Sequence, residues 1–191
     1  MHARGQVASF SFDGEVDPTR IARGVSALCR PNVSVVGAVV APDGFNARFD
    51  SRGKRYEYRI LNRSAPSPLD GDTSWHVPQL LDLEAMRDAA GALVGTHDFA
   101  GFRAADDGRE DTVRTLTSVS VDSAPGGLLT IGVEGTGFLK HMDRIIAGTL
   151  AEIGLGKLPR KTPSIVFESG DRGAAGQTAP ANGLTLIEVF Y

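Results

Sequence analysis

The sequence predicts an α+β fold with a largely antiparallel sheet, and three observations carry that prediction. From Lys54 onward the elements run strand, helix, hairpin, helix, strand, without the regular alternation of a parallel α/β sheet. The stretch KRYEYRI, residues 54–60, alternates with period two, placing Tyr56, Tyr58 and Ile60 on one face and Arg55, Glu57 and Arg59 on the other. The segment 138–154 repeats apolar residues at helical spacing, through Phe138, Met142, Ile145, Ile146, Thr149, Leu150 and Ile153.

The chain has 191 residues, enough for one large domain or two small ones and for a sizeable core. Apolar residues at 41% and charged residues at 23% are ordinary for a globular protein. The single cysteine, Cys29, excludes an internal disulfide and any cysteine-rich zinc site. No apolar run approaches the roughly 18 residues that would span a membrane. MHARGQ at the start lacks the apolar segment of a signal peptide, so cytoplasmic residence without membrane association is expected. A formal net charge of −3 does not exclude RNA as a partner, because a local basic patch suffices for binding.

Taken in order, QVASFSF at residues 6–12 reads as a strand. Asp17-Pro18 reads as an N-cap with proline at the first helical position, and a helix to about Cys29 shows Ile21, Val25 and Leu28 on one face. Pro31 stops it. The β-branched run 33–40 predicts a second strand, and Pro42-Asp43-Gly44 a turn. After the 54–60 strand, residues 63–78 form a loop rich in Ser, Pro, Asp and Gly, with Trp75 and His76 near its end. Asp82 caps a helix over 83–94. A polar segment with two aromatics follows at 95–103, then an acidic, mobile loop at 104–111. Strands at 112–122 and 128–135 are joined by Ala124-Pro125-Gly126-Gly127 as a hairpin. The long helix spans 138–154, a weak short helix 163–168, a small-residue loop 170–183, and a terminal strand 184–190.

Residues 45–62, FNARFDSRGKRYEYRIL and Asn62, concentrate positive charge. Arg48, Arg52, Lys54, Arg55, Arg59 and the adjacent Arg63 face only Asp50 and Glu57. Tyrosines beside guanidinium groups suit RNA, since bases stack on aromatics while arginines hold phosphates. A solvated, salt-bridged strand face is the plainer alternative.

Other chemistry is weakly represented. His97-Asp98 could be a hydrolytic pair, but no G-x-S-x-G elbow accompanies it. His2, His76, His97 and His141 lack ligand spacing, so no metal is expected. Neither a P-loop nor a dinucleotide fingerprint follows a strand, so no cofactor is expected. Arg144 lies opposite the apolar stripe of its helix, as plain surface or as the partner of a catalytic carboxylate. Asp143 lies at the stripe's edge and must reach water or a partner.

Several pieces together resemble the tRNA pseudouridine synthase A family. MHARGQVASF at 1–10 resembles the end of a G-R-T-D-A-G-V-H-A-x-G-Q motif, and FNARFD at 45–50 resembles F-H-A-R-F-D. Residues 54–60 resemble the family's R-Y-x-Y strand, and GTHDFAGF at 95–102 matches G-x-H-D-F-x-x-F. Arg114-Thr115 matches the R-T that opens the next strand. Residues 138–150 resemble F-L-x-x-M-V-R-x-x-x-G-T-L, and 178–191 resemble T-A-P-A-x-G-L-x-L-x-x-V-x-Y. The matches run in family order across nearly the whole chain.

The resemblance implies a pseudouridine synthase fold: two α+β halves sharing a mixed, largely antiparallel sheet with helices packed on it and a basic cleft between them. On this reading residues 1–44 are an incomplete N-terminal half and 45–191 the C-terminal half. It implies a homodimer that converts uridine to pseudouridine at positions 38–40 of the tRNA anticodon arm, without cofactor or metal. It places Tyr56 as the tyrosine assisting proton removal, Arg144 as the arginine pairing with the catalytic aspartate, and Leu184 beside the target base. Arg48, Arg55, Arg59, His97, Phe99, Arg103 and Lys140 become substrate-binding candidates.

The departures are as informative. The nucleophilic aspartate belongs to the T-D-A-G run before Val-His-Ala, and Met1 stands at the valine. A start codon assigned downstream of the true one is the expected cause, and a shortened, inactive gene copy is the rival. Turnover by the 191 residues alone is therefore not expected, which leaves a catalytically dead RNA-binding or dimerising remnant as the alternative function. Asn46 replaces the motif's histidine, Asp143 an apolar residue and Gln177 a usual proline. Asp143 is not expected to supply the missing acid, because neighbours on a helix point about 100° apart.

Overall fold

A computed structural model describes residues 1–191 and divides them into two units. The larger unit is residues 1–6 with 51–191, and the smaller is 7–50. The first residues thus belong to the larger unit together with most of the chain. They do so because β1 (His2–Ala3) pairs in parallel with β7 (Leu184–Phe190), and Arg4 N–H donates to the Leu186 carbonyl at 2.8 Å.

In the larger unit the strands are β2 (Gly53–Leu61), β3 (Trp75–His76), β4 (Gly95–Asp98), β5 (Val113–Ala124) and β6 (Leu128–Gly135), together with β1 and β7. They form one 7-stranded sheet in the order β1-β7-β2-β6-β5-β4, with β3 also beside β2. The β1–β7 and β2–β3 pairings are parallel and the rest antiparallel. This is the mixed, largely antiparallel α+β sheet expected. The hairpin between β5 and β6 turns through Gly126 and Gly127 at φ 82° and 81°, a region that favours glycine.

In chain order the smaller unit's helix is α1 (Pro18–Leu28), and those of the larger unit are α2 (Leu83–Gly91), α3 (Met142–Gly154) and α4 (Thr162–Ser169). Asp82 caps α2 by accepting from Ala85 N–H at 3.0 Å. The expected start of α3 at Phe138 is corrected to Met142, because His141 sits in the left-handed region at φ 61° and ψ 9°. Residues 138–141 are a turn into the helix. Tyr58, Ile60, Met86, Leu93, Ile131, Ile145, Ile146 and Leu150 form the centre of the core between sheet and helices.

The smaller unit corrects two expectations. Asp17 and Pro18 do start α1, with Asp17 accepting from Thr19 N–H at 2.9 Å. The strands expected at 6–12 and 33–40 do not form, and neither segment joins a ladder. β-Branched composition favours extended backbone, but a strand also needs a partner for its N–H and C=O groups. Here Val35 N–H turns instead to Ser26 Oγ at 2.8 Å, and Val36 is 97% exposed.

Candidate functional site

β2 runs through the middle of the sheet, and its period-two alternation turns Tyr56 and Tyr58 toward the core. Tyr58 is buried opposite Leu184 of β7, and its hydroxyl donates to the Pro180 carbonyl at 2.7 Å. Arg144, half-buried on α3, donates from Nε to the neighbouring Ala179 carbonyl at 2.7 Å, while Ala179 N–H returns a bond to the Arg144 carbonyl at 3.0 Å. Adjacent peptide oxygens of the 179–180 segment are thus held by Tyr58 and Arg144. α3 reaches this segment because Gly148 lacks a side chain: a Cβ there would stand 1.9 Å from the Gln177 carbonyl oxygen.

Tyr56 is half-buried with its ring edge-on to Phe138, centroids 5.0 Å apart. Burial, then the nearby Asp143 charge, push its phenol pKa up to about 12. Burial also raises Tyr58, and Arg144 partly opposes that. Asp143, expected to reach water or a partner, is buried at 6% exposure with one of its oxygens, Oδ1, unpartnered. Burial pushes its pKa up to about 7, while its own backbone N–H and the Lys54 charge pull the other way.

Of the sequence candidates, Arg144 and Leu184 lie at the two ends of the 179–184 segment, while Tyr56 sits on β2 opposite Leu186 and beside Phe138. Leu184 is 4% exposed and packed in the core. Tyr58, absent from the expected set, is the tyrosine that shares a peptide segment with Arg144. Its place in the same period-two face was the available signal.

The basic strand is less free than its sequence suggests. Arg55 is ion-paired with Glu188 and lies over the Phe190 ring at 5.8 Å. Arg59 is half-buried opposite Thr130 of β6. Arg48 belongs to the smaller unit, where its guanidinium lies 5.5 Å from the Phe49 ring centroid. Asn46, in the family's histidine position, accepts from Arg48 N–H at 2.9 Å and Phe49 N–H at 3.2 Å, shaping a local turn.

His97 and Phe99 lie elsewhere, on and just after β4, which β5 and β6 separate from β2. His97 stacks on Phe167 of α4, centroids 4.4 Å apart, and its Nε2 meets the Val94 carbonyl at 3.1 Å. Phe99 is 0% exposed, packed among Phe102, Phe167 and His97. Asp98 accepts from Ala100 N–H and from the Thr112 hydroxyl at 2.9 and 2.5 Å, which leaves the His97-Asp98 pair without shared chemistry.

Arg103 donates to the Arg109 carbonyl at 2.6 Å, and Lys140 Nζ lies 2.6 Å from Asp106. Instead of being loose, the 104–111 loop is tied to the turn before α3 by Asp107, which accepts from Lys140 N–H at 2.8 Å. No group of three His, Cys, Asp or Glu side chains is placed to hold a metal ion, and no helix is long and apolar enough to cross a membrane.

Comparison with known proteins adds an independent line. Residues 89–191 match the family model described as tRNA pseudouridine synthase. A tRNA pseudouridine synthase A of Myxococcus xanthus is 47% identical over 191 residues, covering 100% of this chain and 72% of the relative. One from Geotalea uraniireducens is 48% identical over 193 residues, covering 100% of this chain and 78% of the relative. One from Acetivibrio thermocellus is 38% identical, with 78% of that relative covered.

Proposed function

This chain belongs to the tRNA pseudouridine synthase A family, and from that premise we propose that it handles uridine in the anticodon arm of tRNA, at positions 38–40, as part of a homodimer in the cytoplasm. The isomerisation breaks the bond between uracil N1 and ribose C1′, turns the base, and joins C5 to C1′. The C5 proton leaves and N1 gains one, so atoms balance without cofactor or metal.

The observation that carries the reading is the convergence of Arg144, Tyr58 and Leu184 on the 179–184 segment, with Tyr56 two residues along the same face of β2. Arg144 has a fixed backbone anchor through Nε, which orients its guanidinium. Extrusion of a base from its stack costs a few kcal/mol, offset by stacking and phosphate contacts. Tyr56 holds its proton at neutral pH, since both burial and the Asp143 charge oppose ionisation. It acts as a base only once that environment changes so as to favour the phenolate, as the approach of a cationic group would.

RNA binding without turnover is a second reading, favoured by one feature: no Thr-Asp-Ala-Gly run occurs among the 191 residues. The nucleophile would then come from a longer polypeptide of the kind seen in the relatives.

The test incubates unmodified tRNA transcript with the 191-residue protein and with a version extended at its N-terminus by a segment carrying that run. Pseudouridine is read by mass spectrometry of the digested RNA. Product from the extended protein alone upholds both statements. Product from the 191 residues alone overturns the second reading, and product from neither overturns the first.

A further inference from the structure

Four cationic side chains gather around the turn 137–141 that leads into α3, and a loop of the same chain covers them. Lys140 Nζ is 2.6 Å from Asp106, Arg109 Nε 3.7 Å from Asp107, and Arg114 3.3 Å from Asp111. Arg103 joins the group through its bond to the Arg109 carbonyl. The loop also grips the backbone of the turn. Arg109 donates to the Phe138 carbonyl at 2.8 Å, Asp107 accepts from Lys140 N–H at 2.8 Å, and Ala104 N–H donates to the Lys140 carbonyl at 2.9 Å.

The carboxylates are of two kinds. The Asp107 side chain is 5% exposed and satisfies backbone N–H groups of Lys140 and Arg109, so it belongs to the fold. Asp106 and Asp111 have side chains 72% and 79% exposed. The Lys140–Asp106 pair is exposed on both sides, with Lys140 at 44%, and exposed pairs contribute little and separate readily; Arg114 is 16% exposed and also donates to the Val113 and Asp111 carbonyls beneath Asp111. Lysine and arginine bind carboxylate and phosphate through the same donors. The patch as folded is near neutral: Arg103, Arg109, Arg114 and Lys140 stand against Asp106, Asp107, Glu110 and Asp111. It also adjoins Tyr56, because Phe138, held by Arg109, packs on its ring.

We propose that Arg103, Arg109, Arg114 and Lys140 form a docking surface for an RNA phosphate backbone, and that Asp106 and Asp111 occupy it as internal substitutes which phosphates displace. The inference rests on the RNA-binding reading above. A chain with this arrangement binds an array of phosphates better than a single one, because each displaced ion pair must be replaced. It also carries no exposed excess of positive charge when RNA is absent.

The test measures binding of a fluorescent anticodon stem-loop RNA by anisotropy across a salt series. The proteins are the wild type, Asp106→Asn, Lys140→Gln, the double variant, and Asp122→Asn as a control for net charge alone. Asp106→Asn should tighten binding about 3-fold to 10-fold at low salt. Lys140→Gln should weaken it, and the double variant should bind no tighter than Lys140→Gln alone. A wild type that binds, with Asp106→Asn no better than Asp122→Asn, overturns the displacement and leaves RNA binding standing. A gain that persists in the double variant does the same. Absence of binding by both wild type and Asp106→Asn overturns the RNA-binding reading and this inference with it.

Discussion

Burial, and after it the charge of Asp143, raise the pKa of Tyr56, although the two residues belong to different elements, α3 and β2. The same carboxylate is buried with one oxygen unpartnered. Both facts follow from placing an acid at a position where the helix is enclosed, with Met142, Ile145 and Ile146 buried around it. Removing a charge from water is costly unless the group is paired or neutralised.

That cost makes stability depend on pH in a defined direction. The folded-state pKa of Asp143 is raised from 3.8 to about 7, so between those values the folded chain holds a proton that the unfolded chain has released. Stability is therefore greatest below the unfolded value and falls as pH rises through the window, by at most about 1.4 kcal/mol per pH unit. Above the folded value the loss is complete and the curve flattens. Asp143→Val should raise the melting temperature at pH 8 and have far less effect near pH 4. Asp143→Asn should gain less than valine, because an amide buried there still lacks a partner. Thermal unfolding of the three proteins at the two pH values decides it, and equal effects at both would sink the account.

Tyr58→Phe keeps the buried ring and removes only the bond to the Pro180 carbonyl. The expected loss is about 1 kcal/mol of stability, read from denaturant unfolding with an unchanged slope. The change should also free the 179–180 segment from one of its two anchors. The amide exchange of Ala179, still bonded to Arg144, should quicken modestly, whereas that of Ile131 in the core should follow only the global loss.

The sequence was most legible where pattern and partner lie in the same unit. β2, the β5–β6 hairpin, α2, α3 and β7 were all signalled by periodicity or by turn residues, and each forms in the larger unit. Residues 6–12 and 33–40 carried equally good strand composition, yet composition states a preference for extended backbone and says nothing about a partner. The start of α3 was missed because the apolar stripe continues through Phe138 across a left-handed His141, which periodicity cannot register. At the site, Arg144 and Leu184 were proposed from motif, whereas Tyr58's bond to Pro180, joining residues far apart in sequence, had no motif to signal it. Phe99 shows the opposite limit: an aromatic beside a histidine looks the same in sequence whether it faces a ligand or, as here, packs in the core.

Gly148→Ala tests the close approach of α3 to residues 177–179. A methyl group there would lie 1.9 Å from the Gln177 carbonyl oxygen and 3.3 Å from Ala179 N. Backbone must shift, at a cost of about 1–3 kcal/mol, which outweighs the helix-propensity gain of about 1 kcal/mol from replacing glycine by alanine. A net fall in melting temperature is expected, together with loss of the bond between Ala179 N–H and the Arg144 carbonyl, visible as faster exchange of that amide. A stabilised variant would show that the approach is looser than described.

Arg55 and Arg59 should differ in their effect on RNA binding despite sitting on the same face of β2. Arg55 already has Glu188 as a partner, so a phosphate must compete for it, and Arg55→Ala frees a carboxylate that repels RNA. Arg59 faces Thr130 and has no carboxylate pair. If both reach phosphates, Arg59→Ala should lower the magnitude of the slope of log affinity against log salt by about 1. Arg55→Ala should weaken binding with a smaller slope change, and Glu188→Gln should strengthen it. Equal salt slopes for wild type and Arg59→Ala would make this face of β2 solvated surface and confine RNA contacts to the turn before α3.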